Sequence, residues 1–116
     1  MSAAGSLAYF AAMTGFLVEL AFFAAGQDDH VKKGMEVYAA QKCSVCHAIA
    51  GKGKAANPLD GVGAKLSADD IRQWIVDPVA MSKKSSSTKK PPMPAKYGKL
   101  PAADLDALVA YMQSLK

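Results

Sequence analysis

The sequence predicts an all-α chain: a small domain of three to four helices, with no strand, preceded by one transmembrane helix. Three observations carry this. Ala3 to Ala25 is almost unbroken apolar sequence with Glu19 as its one charge. Two later stretches, near 30–41 and from Ala102 onwards, repeat apolar residues every three or four positions, the spacing of one helix face. Between them Ser67-Ala68-Asp69-Asp70 is a helix-start signal ahead of Ile71, Trp74 and Ile75. The boundaries that follow are 1–27 for the anchor and 28–116 for the domain.

As a helix the apolar run is about 34 Å long, enough to cross a bilayer core. A cleaved signal peptide is the competing reading, because Ala24-Ala25-Gly26 offers small residues before polar ones. No Lys or Arg precedes the run, so the positive leader such peptides carry is missing, and a retained anchor is preferred. Gly5, Ala8, Ala12 and Gly15 offer a small-residue packing face. Glu19 is costly in lipid unless it snorkels or pairs, which points to a partner helix in a larger complex.

In the domain, Asp28 or Asp29 is expected to cap a helix starting near His30 and ending near Gln41, with Val31, Met35 and Tyr38 on its apolar side. Gly34 interrupts that helix and suggests a close crossing. Ala48 to Leu66, with four glycines, reads as irregular loop. Asp77-Pro78 ends the helix that Ser67 begins. Residues 80–92 show no periodicity and read as a polar loop. Lys83, Lys84, Lys89 and Lys90 make it basic, either a solvated loop or a docking surface for an acidic partner. The last helix carries Leu105, Leu108, Val109, Met112 and Leu115 on one face. The net charge of +4 is modest, and nucleic acid is not an expected partner.

The chemistry sits in Cys43-Ser44-Val45-Cys46-His47. C-x-x-C-H is the attachment signal of a c-type haem: two thiols add to the vinyl groups of one porphyrin, and the adjacent imidazole becomes an axial ligand. The chain has two cysteines in all, so one covalent haem accounts for both. A redox-active dithiol would want a βαβ surround, and a structural zinc site four ligands, for which the two histidines add only His30 and His47. The second axial ligand is expected from the remaining Met, His or Lys residues; His30 is possible but lies at the membrane exit, before the first helix. Met13 lies in the apolar run, and Met35 and Met112 read as core residues. Met93 in its Pro-Pro-Met-Pro frame is preferred, with Met81 as the alternative. Trp74 reads either as a core residue or as an indole donor to a haem carboxylate.

These residues resemble the class I cytochrome c family over Val31 to Lys116. The resemblance rests on Gly34 with Tyr38, on Cys43/Cys46/His47, and on Pro58-Leu59-x-Gly61-Val62-Gly63. It also rests on Trp74-Ile75-x-x-Pro78, Met93-Pro94 and the closing Leu108 to Met112 stretch. It implies a single-haem fold with His47 and Met93 on the iron. It further implies that Gly34 and Tyr38 cross Leu108 and Tyr111, and that the Pro58 carbonyl accepts the His47 ring N–H. The anchor resembles membrane-held cytochrome subunits instead. The expected role is one-electron transfer, not catalysis, as a membrane-anchored subunit of a respiratory or photosynthetic complex. The chain would sit in a bacterial inner membrane as a single-pass protein, haem domain on the periplasmic side. The alternatives are a tethered or soluble periplasmic shuttle, and a haem-based sensor or peroxidase.

Overall fold

Residues 28–40 are helical, here called α1, in the computed structural model, which describes residues 28–116. The predicted anchor, 1–27, lies outside the described residues. Asp28 and Asp29 are already helical, so neither stands ahead of α1 as its cap. The packed stripe of α1 is Val31, Gly34, Val37 and Tyr38. Met35, expected on that stripe, is 50 % exposed. One residue of helix turns a side chain by about 100°, and Met35 follows directly on the buried Gly34.

After α1, Lys42 takes a left-handed conformation (φ 57°) and reverses the chain into a 3-10 turn, Cys43–Val45. Strands β1 (Ala48–Ile49) and β2 (Lys52–Gly53) then pair antiparallel. This corrects the expectation of no strand. Ala50 and Gly51 both have positive φ (51° and 79°), the requirement of a tight two-residue hairpin. Two-residue strands are too short to show any alternation. Helix α2, Val62–Lys65, is a single turn inside the expected loop.

Helix α3, Ala68–Val76, starts where the capping signal put it: the Ser67 hydroxyl accepts from the Asp70 amide at 3.1 Å. It ends at Asp77, as the Asp-Pro pair requires. The next stretch departs from expectation. Helix α4, Pro78–Ser85, occupies much of the predicted 80–92 loop. Asp77 caps it by accepting from the Ala80 amide at 3.2 Å, Pro78 takes its first turn, and Lys83 and Lys84 suit its negative end. A helix held by its ends rather than by an apolar stripe leaves no periodicity to read. From Ser87 to Pro94 the backbone is irregular, as expected. A 3-10 turn, Ala95–Lys99, leads into α5, Ala102–Ser114. The described residues thus hold five α-helices rather than three to four.

The core gathers Val37 of α1, Ile71 and Ile75 of α3, and Leu105, Leu108, Val109 and Met112 of α5. At the α1–α5 crossing, a Cβ on Gly34 would overlap the Ala107 carbonyl oxygen and come within 2.6 Å of Tyr111 Cβ. Gly63 of α2 meets the backbone of Gln113 in the same way. Among the described residues no helix is long and apolar enough to cross a membrane.

Gly34→Ala therefore forces the two helices apart. The expected loss is about 1–3 kcal/mol of stability, the usual cost of overpacking. In urea unfolding the midpoint falls while the slope is kept, and a midpoint equal to that of the parent protein would refute the close crossing.

Candidate cofactor site

Between α1, α3, α5 and the segment 87–97 lies a cavity of about 360 Å³. Its apolar lining includes Leu59, Leu66, Ile71, Ile75, Leu108 and Met112. Cys43, Cys46 and His47 all line it, delivered by the left-handed Lys42 and the 3-10 turn, with the His47 amide donating to the Cys43 carbonyl at 3.0 Å. Met93 lines it as well, and Met81 on α4 does not.

The His47 ring is held by a backbone carbonyl. Nδ1 lies 3.2 Å from the oxygen of Asn57, not of Pro58 as the resemblance implied. The register explains the shift. Ala48 bridges Pro58, and the Ala48 amide donates to Asn57 O at 3.2 Å, so that oxygen faces the His47 side. Pro58 itself is exposed and outside the lining. With Nδ1–H donating to a carbonyl, the lone pair is on Nε2, the tautomer a metal needs. Burial lowers the His47 pKa, against a smaller opposing effect of the Asn57 hydrogen bond, and so favours the neutral ring.

Burial pushes the Cys43 thiol up, with the Cys46 charge adding to it, against smaller lowering effects of a backbone hydrogen bond and Lys96. A redox dithiol needs the opposite shift. Among the described residues no group of three or more His, Cys, Asp or Glu side chains converges as a zinc site would need.

A family model for cytochrome c matches residues 31–116. The chain belongs to the cytochrome c family. It is also 31 % identical over 93 residues to cytochrome c oxidase subunit 2 of Alkalihalophilus pseudofirmus, an alignment covering 72 % of this chain and 25 % of that protein. The chain thus spans about a quarter of that relative's length. No solved structure matches it.

A cytochrome c domain is an electron carrier built on covalent haem c, and not an enzyme in itself. The residues here fit that group: two thiols, an imidazole with its outer nitrogen engaged, and a thioether meet at one largely apolar cavity. Cys43 and Cys46 would hold the ring, and His47 with Met93 would flank the metal. When bound, haem supplies a one-electron couple whose iron keeps its charge change inside a low-polarity pocket.

Trp74 and Tyr38 line the cavity too. Tyr38 packs edge-on to Tyr111, ring centres 5.7 Å apart and planes at 84°. Its hydroxyl oxygen is sealed from solvent and has no hydrogen-bond partner among the described residues. Sequence reasoning missed Ser82, Ser87 and Tyr97 in the lining, and it placed Lys89 on a docking surface rather than at the cavity. For Tyr97 the signal was present: it follows Met93 by four residues, within one turn of the Pro94 bend.

Burial first, then the charges of Cys43, Tyr111 and Asp60, push the Tyr38 pKa up from 10.0 to about 12. Above pH 10 the unfolded chain then loses this proton before the folded one does. Its contribution is complete below pH 10 and is lost as pH rises towards about 12. Tyr38→Phe should flatten that part of the alkaline fall in unfolding midpoint. A slope identical to the parent's would show that the phenol titrates alike in both states.

Proposed function

We propose that the domain is the electron-carrying part of a membrane-anchored subunit in a respiratory or photosynthetic electron-transfer complex, held in a bacterial inner membrane with the haem side periplasmic. The observation that carries the redox part is the meeting of Cys43, Cys46, His47 and Met93 at a single cavity. The apolar run Ala3 to Ala25 supports the anchor, and covalent haem attachment on the outer side of an energy-transducing membrane supports the orientation. The relative's name, cytochrome c oxidase subunit 2, supports a place inside such a complex.

The chain's own residues suit fast one-electron exchange. His47 is fixed by the Asn57 carbonyl, and Met93 sits among three prolines that restrict its backbone. Neither side chain has to move when the charge changes, so reorganisation is small. Ser44 and Val45, the two residues between the cysteines, are exposed, Val45 by 67 %. A partner can therefore approach the attachment turn closely. Lys83, Lys84 and Lys90 are exposed and would steer an acidic one.

A tethered or soluble shuttle is the second reading. It needs freedom between anchor and domain, and the first described residues, from 28 onwards, are helical. Peroxidase or sensor chemistry would need an acid–base group opposite His47. The other histidine, His30, does not line the cavity.

The test is purification from native membranes in mild detergent, with intact mass and co-purifying subunits read together. The proposal expects one covalent haem, residues 1–27 retained, and oxidase, quinol-oxidising or light-driven subunits in the same fraction. A lone polypeptide cut after Gly26 would contradict it and leave a soluble shuttle.

A further inference from the structure

The cavity carries two cations and no anion. Its titratable lining groups are Tyr38 from α1, Lys42, Cys43, Cys46 and His47 from the turn region, Tyr97 from the 3-10 turn, and Lys89 from the segment after α4. The lining residues of α3, α4 and α5 are uncharged, and no aspartate or glutamate lines it anywhere. Neither Lys42 nor Lys89 has an ion-pair partner among the described residues. Lys42 and Lys89 are exposed at the cavity's rim, and two cations there without a carboxylate of the protein favour an anionic group at its opening.

Lys89 is the more firmly placed of the two. Its Nζ donates to the Ala56 carbonyl at 3.1 Å, across thirty-three positions of sequence. The backbone behind it is tied down: the Ser87 amide donates to Ser82 O at 2.9 Å, and the Lys89 amide to Ser87 Oγ at 3.4 Å. Ser82 and Ser87 line the cavity beside it. An ammonium has three N–H donors, and one of them serves Ala56.

Haem is a dicarboxylate, and its carboxylates leave from the two pyrrole rings that bear no vinyl group. Cys43 and Cys46 take the vinyl-bearing rings, and Lys42 adjoins Cys43 in sequence. Lys89 is left for the other end. We infer that Lys89, helped by the Ser82 and Ser87 hydroxyls, binds a haem carboxylate, and so belongs to the cofactor site rather than to the docking patch of Lys83, Lys84 and Lys90. The inference rests on the covalent-haem reading.

Its effect is electrostatic. A cation held on the carboxylate offsets a negative charge near the iron, which favours the reduced state and keeps that carboxyl ionised to lower pH. The test is the midpoint potential of the full-length haem protein against pH, at high salt so that distant surface charge is screened. Lys89→Gln is compared with Lys83→Gln, which removes the same charge from an exposed position outside the cavity. Lys89→Gln should raise the oxidised-to-reduced ratio at fixed potential at least threefold, a drop of about 28 mV at about 59 mV per tenfold for one electron. It should also move the pH inflection of the potential upwards. Lys83→Gln should do neither, and Lys89→Arg should restore the parent profile. Equal shifts in the two glutamine variants, or an inflection that stays in place, would overturn the inference while leaving the haem reading intact. A parent protein whose haem is removed by acid acetone, and so is not covalent, would defeat both.

Discussion

Where the backbone of Gly34 lies against that of Ala107, α1 and α5 approach more closely than any side chain at residue 34 would allow. The rest of the domain takes its layout from that contact. It sets Tyr38 against Tyr111 and joins Val37 and Leu108 in one core. Tyr38 and Leu108 also face the cavity, which α3, the attachment turn and the Met93 segment line as well. A domain of this size buries too little surface to tolerate a large void cheaply. The cavity is therefore best understood as the place of an apolar group that completes the core, and the two thiols as the means of keeping that group in the folded and unfolded chain alike.

Electron transfer asks for the same construction. The residues meant for the iron are held by backbone rather than by side-chain networks: His47 by one carbonyl, Met93 by its prolines. Such supports do not titrate near neutral pH, and they do not rearrange when the iron gains or loses charge. Surface charge is left free for a different task. Lys83, Lys84 and Lys90 stand outside the cavity, while Lys89, from the same short run, turns towards it. In the proposed reading the basic stretch divides between a partner and a cofactor, a division its composition does not show.

What the sequence disclosed was local or periodic. Cys43, Cys46 and His47 are adjacent in the chain, so their joint chemistry is written in five residues. The apolar face of α5 repeats over three turns. The Ser67 cap and the Asp77-Pro78 stop are short-range signals that the structure realises as read. What stayed hidden depends on contacts distant in sequence or on features too short for a period. Helix α4 has caps but no stripe. The β1–β2 hairpin is two residues deep. Asn57 replaces Pro58 as the His47 partner because of a one-residue register between Ala48 and the 57–58 backbone. Val37 is buried and Met35 exposed because α1 meets its neighbour along the Gly34 line, and the sequence of α1 alone does not say which line that is.

The central claim is that one cavity sets an imidazole and a thioether on the same iron. X-ray absorption at the iron edge tests it most directly, on the purified protein in both oxidation states. The account predicts a first shell of the four pyrrole nitrogens, one imidazole nitrogen and one sulfur, unchanged in kind on reduction. A shell with nitrogen in place of the sulfur, or one that loses its sixth ligand on reduction, would contradict it.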